Sequence, residues 1–255
     1  MEEADKCTVT YSDIIKGLKE LEFSQNPVIL VHSSLKSFGK VEGGAETLIH
    51  ALLDLCGEKG TLVMPTLTFA SVNEADPFFD AAETPSGTGY VTEFFRKKPG
   101  VIRSMHVLSS AAAFGYDAAY ITEAHFDSPC GPETPYGRII ELKGYSLFLG
   151  VDFGCNTLFH CAEEAVNPAY LKYKTLHGVR VRDFEGNTSV RDYRRYDCYQ
   201  TGIFRKLEKM GSVFMEKGVL HETLIGNSHI TMISAEDNFR ISCEVLRSNP
   251  EFILE

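Results

Sequence analysis

The chain has 255 residues, a length that allows one large domain or two small ones. Apolar residues make up 44% and charged residues 24% of the sequence, and these ordinary values exclude a mainly disordered chain. The 25 Lys and Arg residues face 35 Asp and Glu residues, so the net charge is −10. This balance argues against nucleic acid or an anionic membrane surface as the partner, and it suits a cationic small molecule better.

The cysteine content and the N-terminal segment indicate the cellular compartment. Seven cysteines, an odd number without a CxxC pair, predict neither a disulfide framework nor a cysteine-rich zinc site. The polar, acidic first ten residues do not resemble a signal peptide. No apolar run approaches the roughly 18 residues of a membrane span. We therefore expect a soluble, cytoplasmic protein with reduced thiols.

In the first half of the chain, apolar spacing predicts helices that alternate with short buried strands. The expected elements are helix 12–22, strand 27–32, helix 43–57, strand 61–67 and helix 91–98. Irregular structure is expected at 70–88, 101–115 and 125–137. A loop as long as the first of these is usually functional or mobile.

The second half adds a different pattern, with a hairpin turn at Glu185-Gly186-Asn187. The expected elements are strand 146–151, helix 156–166, the hairpin, helix 202–218, two short strands around Gly226-Asn227, and helix 234–250. Because strands and helices alternate before the hairpin, we predict one layered α/β domain over residues 1–255 with a mixed central sheet.

The segment VHSSLKSFG at 31–39 follows a buried strand that ends at His32. Ser33 and Ser34 stand where a helical turn should begin, with Lys36 nearby. Backbone N–H groups point outward at such a start and can cradle a phosphate or pyrophosphate. A plain serine N-cap explains the same residues without a ligand. No P-loop or GxGxxG motif follows a strand, so nucleotide hydrolysis and a Rossmann cofactor lack support.

The segment GCNTLFHCAEEA at 154–165 predicts a helix that opens at Asn156 and Thr157. His160 then lies on the first turn, with Glu163 one turn further on the same face. A carboxylate at this spacing can fix the imidazole tautomer and raise its basicity, which makes His160 a candidate general base. The alternative is a partly buried structural histidine.

Metal and thiol chemistry are two further interpretations of this helix. An HxxE pair ligates metal in carboxylate-bridged bundles, but those sites need several such motifs, and HExxH is absent too. We therefore expect no metal. Cys155 and Cys161 flank the motif, and we interpret both as packing residues. A further histidine, His106, lies in the small-residue segment 103–115 and is either a surface residue or part of a pocket wall.

Taken together, these segments resemble the aminoglycoside 3-N-acetyltransferase family, also called the antibiotic N-acetyltransferase family. The similar stretches are 31–66, 79–115, 128–151, 156–165 and 225–239. The runs HSSL, GTLVMPT and NTLFHCAE are specific, and the resemblance covers most of the chain. It implies the family's own layered α/β fold, distinct from the GCN5-type acetyltransferases.

The resemblance implies a reaction in which an acetyl group moves from acetyl-CoA to an amine. Family members acetylate the 3-amino group of a 2-deoxystreptamine antibiotic, so an aminoglycoside-like acceptor is expected. The amine would attack the thioester directly, without a metal or a covalent enzyme intermediate. Catalysis would rest on His160 as the base, Glu163 as its orienting partner and Thr157 beside the thioester. The residues expected to contact CoA are His32, Ser33, Ser34, Lys36 and Asn156.

The acceptor contacts are expected from one histidine and several carboxylates. His106 matches the histidine of the family's RS.HP segment, with Val107 in place of the usual proline. A polycationic acceptor needs carboxylates, and the loops at 73–83 and 123–133 supply them, Asp80 and Glu123 above all. The other acidic residues of these loops are Glu74, Asp76, Glu83, Asp127 and Glu133.

Two alternatives stay open. A same-family N-acyltransferase would act on an amino sugar, a nucleotide-linked sugar or another biosynthetic amine. A non-catalytic protein would only bind CoA or a small cationic ligand. The joint presence of Asn156, Thr157, His160 and Glu163 argues against a protein without catalytic activity. The oligomeric state also stays open, with a homodimer as one option.

Overall fold

The computed structural model describes residues 8–197 and 202–254, along which strands and helices alternate. The strands are β1 (Thr8–Val9), β2 (Val28–Ser33), β3 (Lys40–Val41), β4 (Thr61–Pro65), β5 (Phe78–Asp80), β6 (Ile102–Arg103), β7 (Ala111–Gly115), β8 (Tyr145–Leu149), β9 (Tyr173–Arg182), β10 (Thr188–Tyr196), β11 (His221–Ile225) and β12 (Ser228–Ser234). The α-helices are α1 (Tyr11–Lys19), α2 (Gly44–Cys56), α3 (Tyr90–Arg96), α4 (Ala118–Thr122), α5 (Pro135–Glu141), α6 (Phe159–Val166), α7 (Met210–Glu216) and α8 (Ala235–Ser248). Short 3-10 turns span Leu35–Phe38, Phe153–Cys155 and Leu207–Lys209.

A seven-stranded central sheet has the order β11, β12, β8, β2, β4, β7, β6. Strand β2 pairs in parallel with both β4 and β8, and the outer pairs are antiparallel. This mixed sheet confirms the predicted α/β class.

Helices cover both faces of the central sheet. Along β2, Ile29 and Val31 pack with α1, α2 and α3, whereas Val28 and Leu30 pack with α4 and α5 on the other face. Successive side chains of a strand point to opposite faces, so a strand covered on both faces is apolar throughout. This is why the apolar runs at 27–32, 61–67 and 146–151 predicted real strands.

The predicted hairpin is confirmed as β9 and β10, which pair antiparallel around the turn at Glu185–Asn187. Strand β5 adds to β9 in parallel and completes a second, three-stranded sheet in the order β10, β9, β5. The end of this hairpin, at Tyr196, reaches the cavity described below.

The prediction of irregular structure was wrong for several short elements. Strand β5 lies within 70–88, strands β6 and β7 within 101–115, and the start of α5 within 125–137. The three alanines of β7 lack the β-branched side chains that mark a strand, yet they are fully buried against β4. The start of α5 carried a readable signal, because Pro135 follows the Thr134 N-cap, whose hydroxyl accepts a hydrogen bond from the Gly137 N–H.

Two predicted helices are shorter than expected. Helix α6 begins at Phe159 rather than Asn156, because residues 156–158 form a non-helical turn between the 3-10 turn and the helix. The predicted helix 202–218 is a 3-10 turn followed by α7. Among the helices of the described residues, none has the length and apolar character that crossing a membrane requires.

Candidate active site

A cavity of about 740 Å³ opens at the carboxyl ends of the neighbouring parallel strands β2 and β4. Ligands of open α/β sheets commonly bind at this edge. The end of β10, the segment before α6, the start of α6 and the segment 87–92 also line it. The described lining includes two histidines, His32 and His160, two arginines, Arg195 and Arg205, and one aspartate, Asp197.

The turn after β2 is fixed against the end of β8. The Ser34 N–H donates to the Leu149 carbonyl at 2.9 Å, and the Ser37 hydroxyl donates to the Ser34 carbonyl at 2.6 Å. Gly150 follows β8 with a φ of +64°, and a Cβ there would lie 1.8 Å from Ser37 Oγ. Only a glycine therefore allows the two chain segments to approach this closely. His32 and Ser33, at the end of β2 just before this turn, line the cavity.

His160 and Glu163 form the close pair that their spacing predicts. His160 Nδ1 lies 2.5 Å from Glu163 Oε2, one turn further along α6. The His160 side chain is 19% exposed and lines the cavity, while the Glu163 side chain is fully buried. Burial raises the pKa of the Glu163 carboxyl, but His160, Arg205 and Tyr170 lower it by more, so the pKa lies below its ordinary value. The carboxylate therefore stays charged beside the imidazole.

Two hydrogen-bond partners of Glu163 were not predicted from the sequence. Arg205 Nη1 donates to Glu163 Oε2 at 2.8 Å, and the Tyr170 hydroxyl donates to Glu163 Oε1 at 2.8 Å. Arg205 also lines the cavity. Tyr170 lies beyond the end of α6 and Arg205 beyond the hairpin, so no helical spacing links either residue to Glu163. Only the tertiary fold brings them together.

His32 lies in the cavity wall and is uncharged at neutral pH. Its ring stacks on Phe148 with the centroids 5.1 Å apart. Burial, and secondarily the nearby His160, lower the pKa of His32 to about 3. A neutral imidazole can supply one hydrogen-bond donor and one acceptor to a ligand.

A second carboxylate of α6, Glu164, holds the hairpin end beside His160. It accepts hydrogen bonds from the Tyr196 hydroxyl at 2.8 Å, from the Cys130 N–H at 2.9 Å and from the Ser128 hydroxyl. The Tyr196 ring lies 5.3 Å from the His160 ring, centroid to centroid. Glu164 thereby fixes one wall of the cavity.

The structure gathers four of the predicted site residues in the cavity lining and places the others around it. Those in the lining are His32, Ser33, Thr157 and His160. Glu163 contacts His160 from behind. Ser34 and the exposed Lys36 continue the turn after β2.

The side chain of Asn156 forms hydrogen bonds within the fold and does not line the cavity. Its buried amide exchanges two hydrogen bonds with the amide of Asn238, at 3.0 and 3.1 Å. Its N–H donates to the Phe153 carbonyl at 3.0 Å. Contact with CoA was expected of Asn156, but of Asn156 and Thr157 only Thr157 lines the cavity.

The predicted acceptor residues lie away from the cavity lining. His106 is fully buried, with Nε2 bonded to the Arg194 carbonyl and Nδ1 accepting from the Ser109 N–H. Asp80 is also buried, and its carboxylate accepts from the backbone N–H groups of residues 82 and 83. Glu123 is exposed and lies 3.5 Å from Arg138. The acceptor role of these three residues stays a prediction.

The interpretation of Cys155 as a packing residue was wrong, because this residue is exposed and lines the cavity. Cys161 is buried, as expected. Partial desolvation of the Cys155 thiol and full burial of the Cys161 thiol raise the pKa of both, so neither is an activated thiolate. Of the seven cysteines, Cys7 and Cys198 lie outside the described residues, and the five others are free. Within the described ranges, no group of three or more His, Cys, Asp or Glu side chains can hold a metal ion.

Comparisons with known proteins place this geometry in a family. The sequence profile described as "Aminoglycoside 3-N-acetyltransferase" matches residues 30–247. Aminoglycoside N(3)-acetyltransferase VII of Streptomyces paromomycinus is 32% identical over 90% of this chain and 88% of its own. The aminoglycoside N(3')-acetyltransferase-like protein YokD of Bacillus subtilis is 34% identical over 60% of this chain and 64% of its own.

Solved structures agree with the sequence relatives. The chain superposes on a histidine-to-alanine variant of the aminoglycoside acetyltransferase AAC(3)-IVa, in complex with a gentamicin, with a TM-score of 0.83 and 27% identity. The superposition covers all of this chain and 94% of the other. These findings confirm the predicted fold and the predicted acyltransferase class. The chain belongs to the aminoglycoside 3-N-acetyltransferase family.

Proposed function

We propose that this chain transfers the acetyl group of acetyl-CoA to an amine, with His160 as the general base. The observation that carries the proposal is the His160–Glu163 pair, which borders a cavity at the carboxyl ends of parallel strands. Family membership supplies the reaction class, and the pair supplies a group that can perform it.

The order of proton and bond transfers follows from this pair. The Glu163 carboxylate accepts the Nδ1–H of His160, which leaves Nε2 as the basic nitrogen. An acceptor that arrives as an ammonium first loses one proton to solvent. Nε2 then takes a second proton from the amine nitrogen as this nitrogen bonds to the thioester carbon. The carbon–sulfur bond then breaks, and the sulfur leaves as a thiolate that takes up the proton. The products are an amide and free CoA.

The tetrahedral intermediate carries a negative oxygen that needs donors already in place. We assign this role to Thr157, which lines the cavity within the turn that leads to His160. The uncharged His32 ring borders the same space and fits the thioester end of CoA. We further propose that the turn at Ser33, Ser34 and Lys36 receives the CoA pyrophosphate.

An aminoglycoside is the first candidate acceptor, because the relatives' names specify this class and AAC(3)-IVa has been solved with a gentamicin. A second candidate is an amine with fewer positive charges, such as an amino sugar or another biosynthetic amine. The described lining of the cavity favours it, since it holds a single carboxylate, Asp197, beside Arg195 and the Glu163-paired Arg205. A polycation gains little from such a lining.

The release of free CoA, measured with a thiol reagent, tests the proposed function. Purified protein, acetyl-CoA and a panel of amines should give CoA release that depends on the amine. The panel should include an aminoglycoside, an amino sugar with a single amine and a nucleotide-linked amino sugar. Release with none of the amines, in spite of measurable acetyl-CoA binding, would favour a binding protein.

A further inference from the structure

A guanidinium and an imidazole share one carboxylate oxygen at the centre of the cavity wall. Glu163 Oε2 lies 2.5 Å from His160 Nδ1 and 2.8 Å from Arg205 Nη1. Arg205 Nη1 is itself only 3.5 Å from His160 Nδ1. The side chains of Arg205 and Glu163 are 7% and 0% exposed, so water screens these charges poorly.

We infer that Arg205 is a positioning residue that holds His160 in its unprotonated, basic form by serving as the permanent counter-ion of Glu163. The inference rests on the proposed role of His160 as the base. Arg205 would touch neither the acetyl group nor the amine. It would act through the carboxylate it shares with the imidazole.

The argument begins with the charge of the buried carboxylate. A buried carboxylate without a counter-ion is strongly unfavourable. If His160 were the only partner of Glu163, the pair would hold its proton tightly, because losing it would leave the buried carboxylate uncompensated. The Tyr170 hydroxyl donates to the other oxygen but carries no charge. Arg205 provides the missing positive charge whether or not His160 is protonated.

The second step concerns the imidazolium that forms during catalysis. With Arg205 in place, protonated His160 has a like charge 3.5 Å away, and this repulsion favours release of the proton. Of the other groups facing His160, His32 is uncharged and the Tyr196 hydroxyl is committed to Glu164. Arg195 and Asp197 also line the cavity, but among the described contacts of the pair Arg205 is the cation. The proton that His160 takes from the amine is thereby easily passed to the thiolate of CoA.

The test is a pH titration of the pair in the intact protein, followed both by NMR of ¹³C-labelled histidine and by the pH dependence of kcat/KM. Arg205→Met should raise the pH midpoint of the His160 signal by at least about one unit, because an opposing charge in contact is removed. The kcat/KM profile should shift upward by the same amount, so that activity lost at pH 7 returns at high pH.

Two variants keep the test decisive. Arg205→Lys preserves the charge and should keep the midpoint near that of the wild type, even if Arg205→Met folds poorly. Arg240→Met removes the same charge from a half-exposed surface position on α8 and should change neither readout. If the His160 NMR midpoint of Arg205→Met equals that of the wild type, the inference is overturned. Arg205→Gln takes the place of Arg205→Met if that variant does not fold.

The two readouts separate this inference from the proposed function. If the NMR midpoint moves but the kcat/KM profile does not follow, Arg205 tunes His160 as inferred, and His160 is not the base. If neither moves while His160→Ala is inactive, His160 stands as the base and the role of Arg205 is wrong.

Discussion

The imidazole of His160 and the carboxylate of Glu163 meet at 2.5 Å on one face of α6, with the imidazole at the cavity and the carboxylate fully buried. This order of exposure suits the proposed mechanism. In it, the imidazole meets the substrate and exchanges protons, whereas the carboxylate that orients it is shielded from water. The proposal therefore makes the pair, rather than either residue alone, determine the pH at which the protein works.

Removal of the carboxylate should weaken the base. In Glu163→Gln, Arg205 still faces the imidazole but no negative charge favours its protonated form. The midpoint of the kcat/KM profile should therefore move to lower pH, and the plateau should fall because a less basic imidazole is a poorer proton acceptor. Glu244→Gln, which changes a half-exposed carboxylate on α8, is the matched control. A Glu163→Gln profile that coincides with that of the wild type would contradict the orienting role.

The turn after β2 should contribute to CoA affinity. Lys36→Ala should weaken acetyl-CoA binding by about 1 kcal/mol or more, as the loss of a charge-assisted contact with a phosphate does. Ser33→Asp should weaken it further by like-charge repulsion. Lys40→Ala removes the same charge from an exposed residue just past the turn and serves as the control. Calorimetry that gives all variants the affinity of the wild type would remove the proposed pyrophosphate site.

The salt dependence of the acceptor KM should report the acceptor's charge. For a polycationic aminoglycoside held by carboxylates, KM should rise steeply with ionic strength, because salt screens the attraction. For an amine with one positive charge, held in a lining with two arginines, KM should change little. Steady-state kinetics on both classes, at saturating acetyl-CoA, will distinguish them. A better kcat/KM for the aminoglycoside with a steep salt dependence would eliminate the second candidate.

Buried histidines should make the fold sensitive to acid. Burial lowers the pKa of His106 to about 4, and its hydrogen bonds to the Arg194 carbonyl and the Ser109 N–H fix the neutral tautomer. In unfolded chains the pKa of histidine is about 6.5. The unfolded state therefore binds more protons between these values, and stability falls as the pH is lowered through this window, by up to about 3 kcal/mol for this residue.

Urea unfolding at pH 7.5 and pH 5 measures this effect. The wild type should lose more stability between the two pH values than His106→Gln, which has no titrating ring. The same direction holds for His125, whose pKa is lowered mainly by burial, with its ring 4.9 Å from that of His106. Equal losses in both proteins would show that His106 does not contribute.

The sequence predicted the structure best where apolar or functional residues recur at the regular spacing of a strand or a helix. The parallel strands are mostly apolar, and the three-residue spacing of His160 and Glu163 places both on one helix face. Loop carboxylates carry no such signal. Asp80 looks like a ligand in a loop, but it accepts backbone hydrogen bonds within its own turn. Whether a loop carboxylate faces a ligand or the backbone depends on the path of the chain, which residue types alone do not specify.

The remaining part of the site depends on contacts between distant segments. Arg205, which follows the β9–β10 hairpin along the chain, contacts Glu163 on α6, and Glu164 binds the hairpin end at Tyr196. The Asn156–Asn238 amide pair likewise joins segments 82 residues apart. Contacts of this kind are set by tertiary packing and have no periodic pattern in the sequence.

The most direct test of the account is the rate of amine-dependent CoA release by His160→Ala. Loss of a general base costs about 10² to 10⁴ in rate. We expect a loss in kcat of that size with a folded protein and unchanged acetyl-CoA affinity, whereas His50→Ala, at a surface position, should behave like the wild type. A His160→Ala protein that keeps near-wild-type kcat would contradict the central claim.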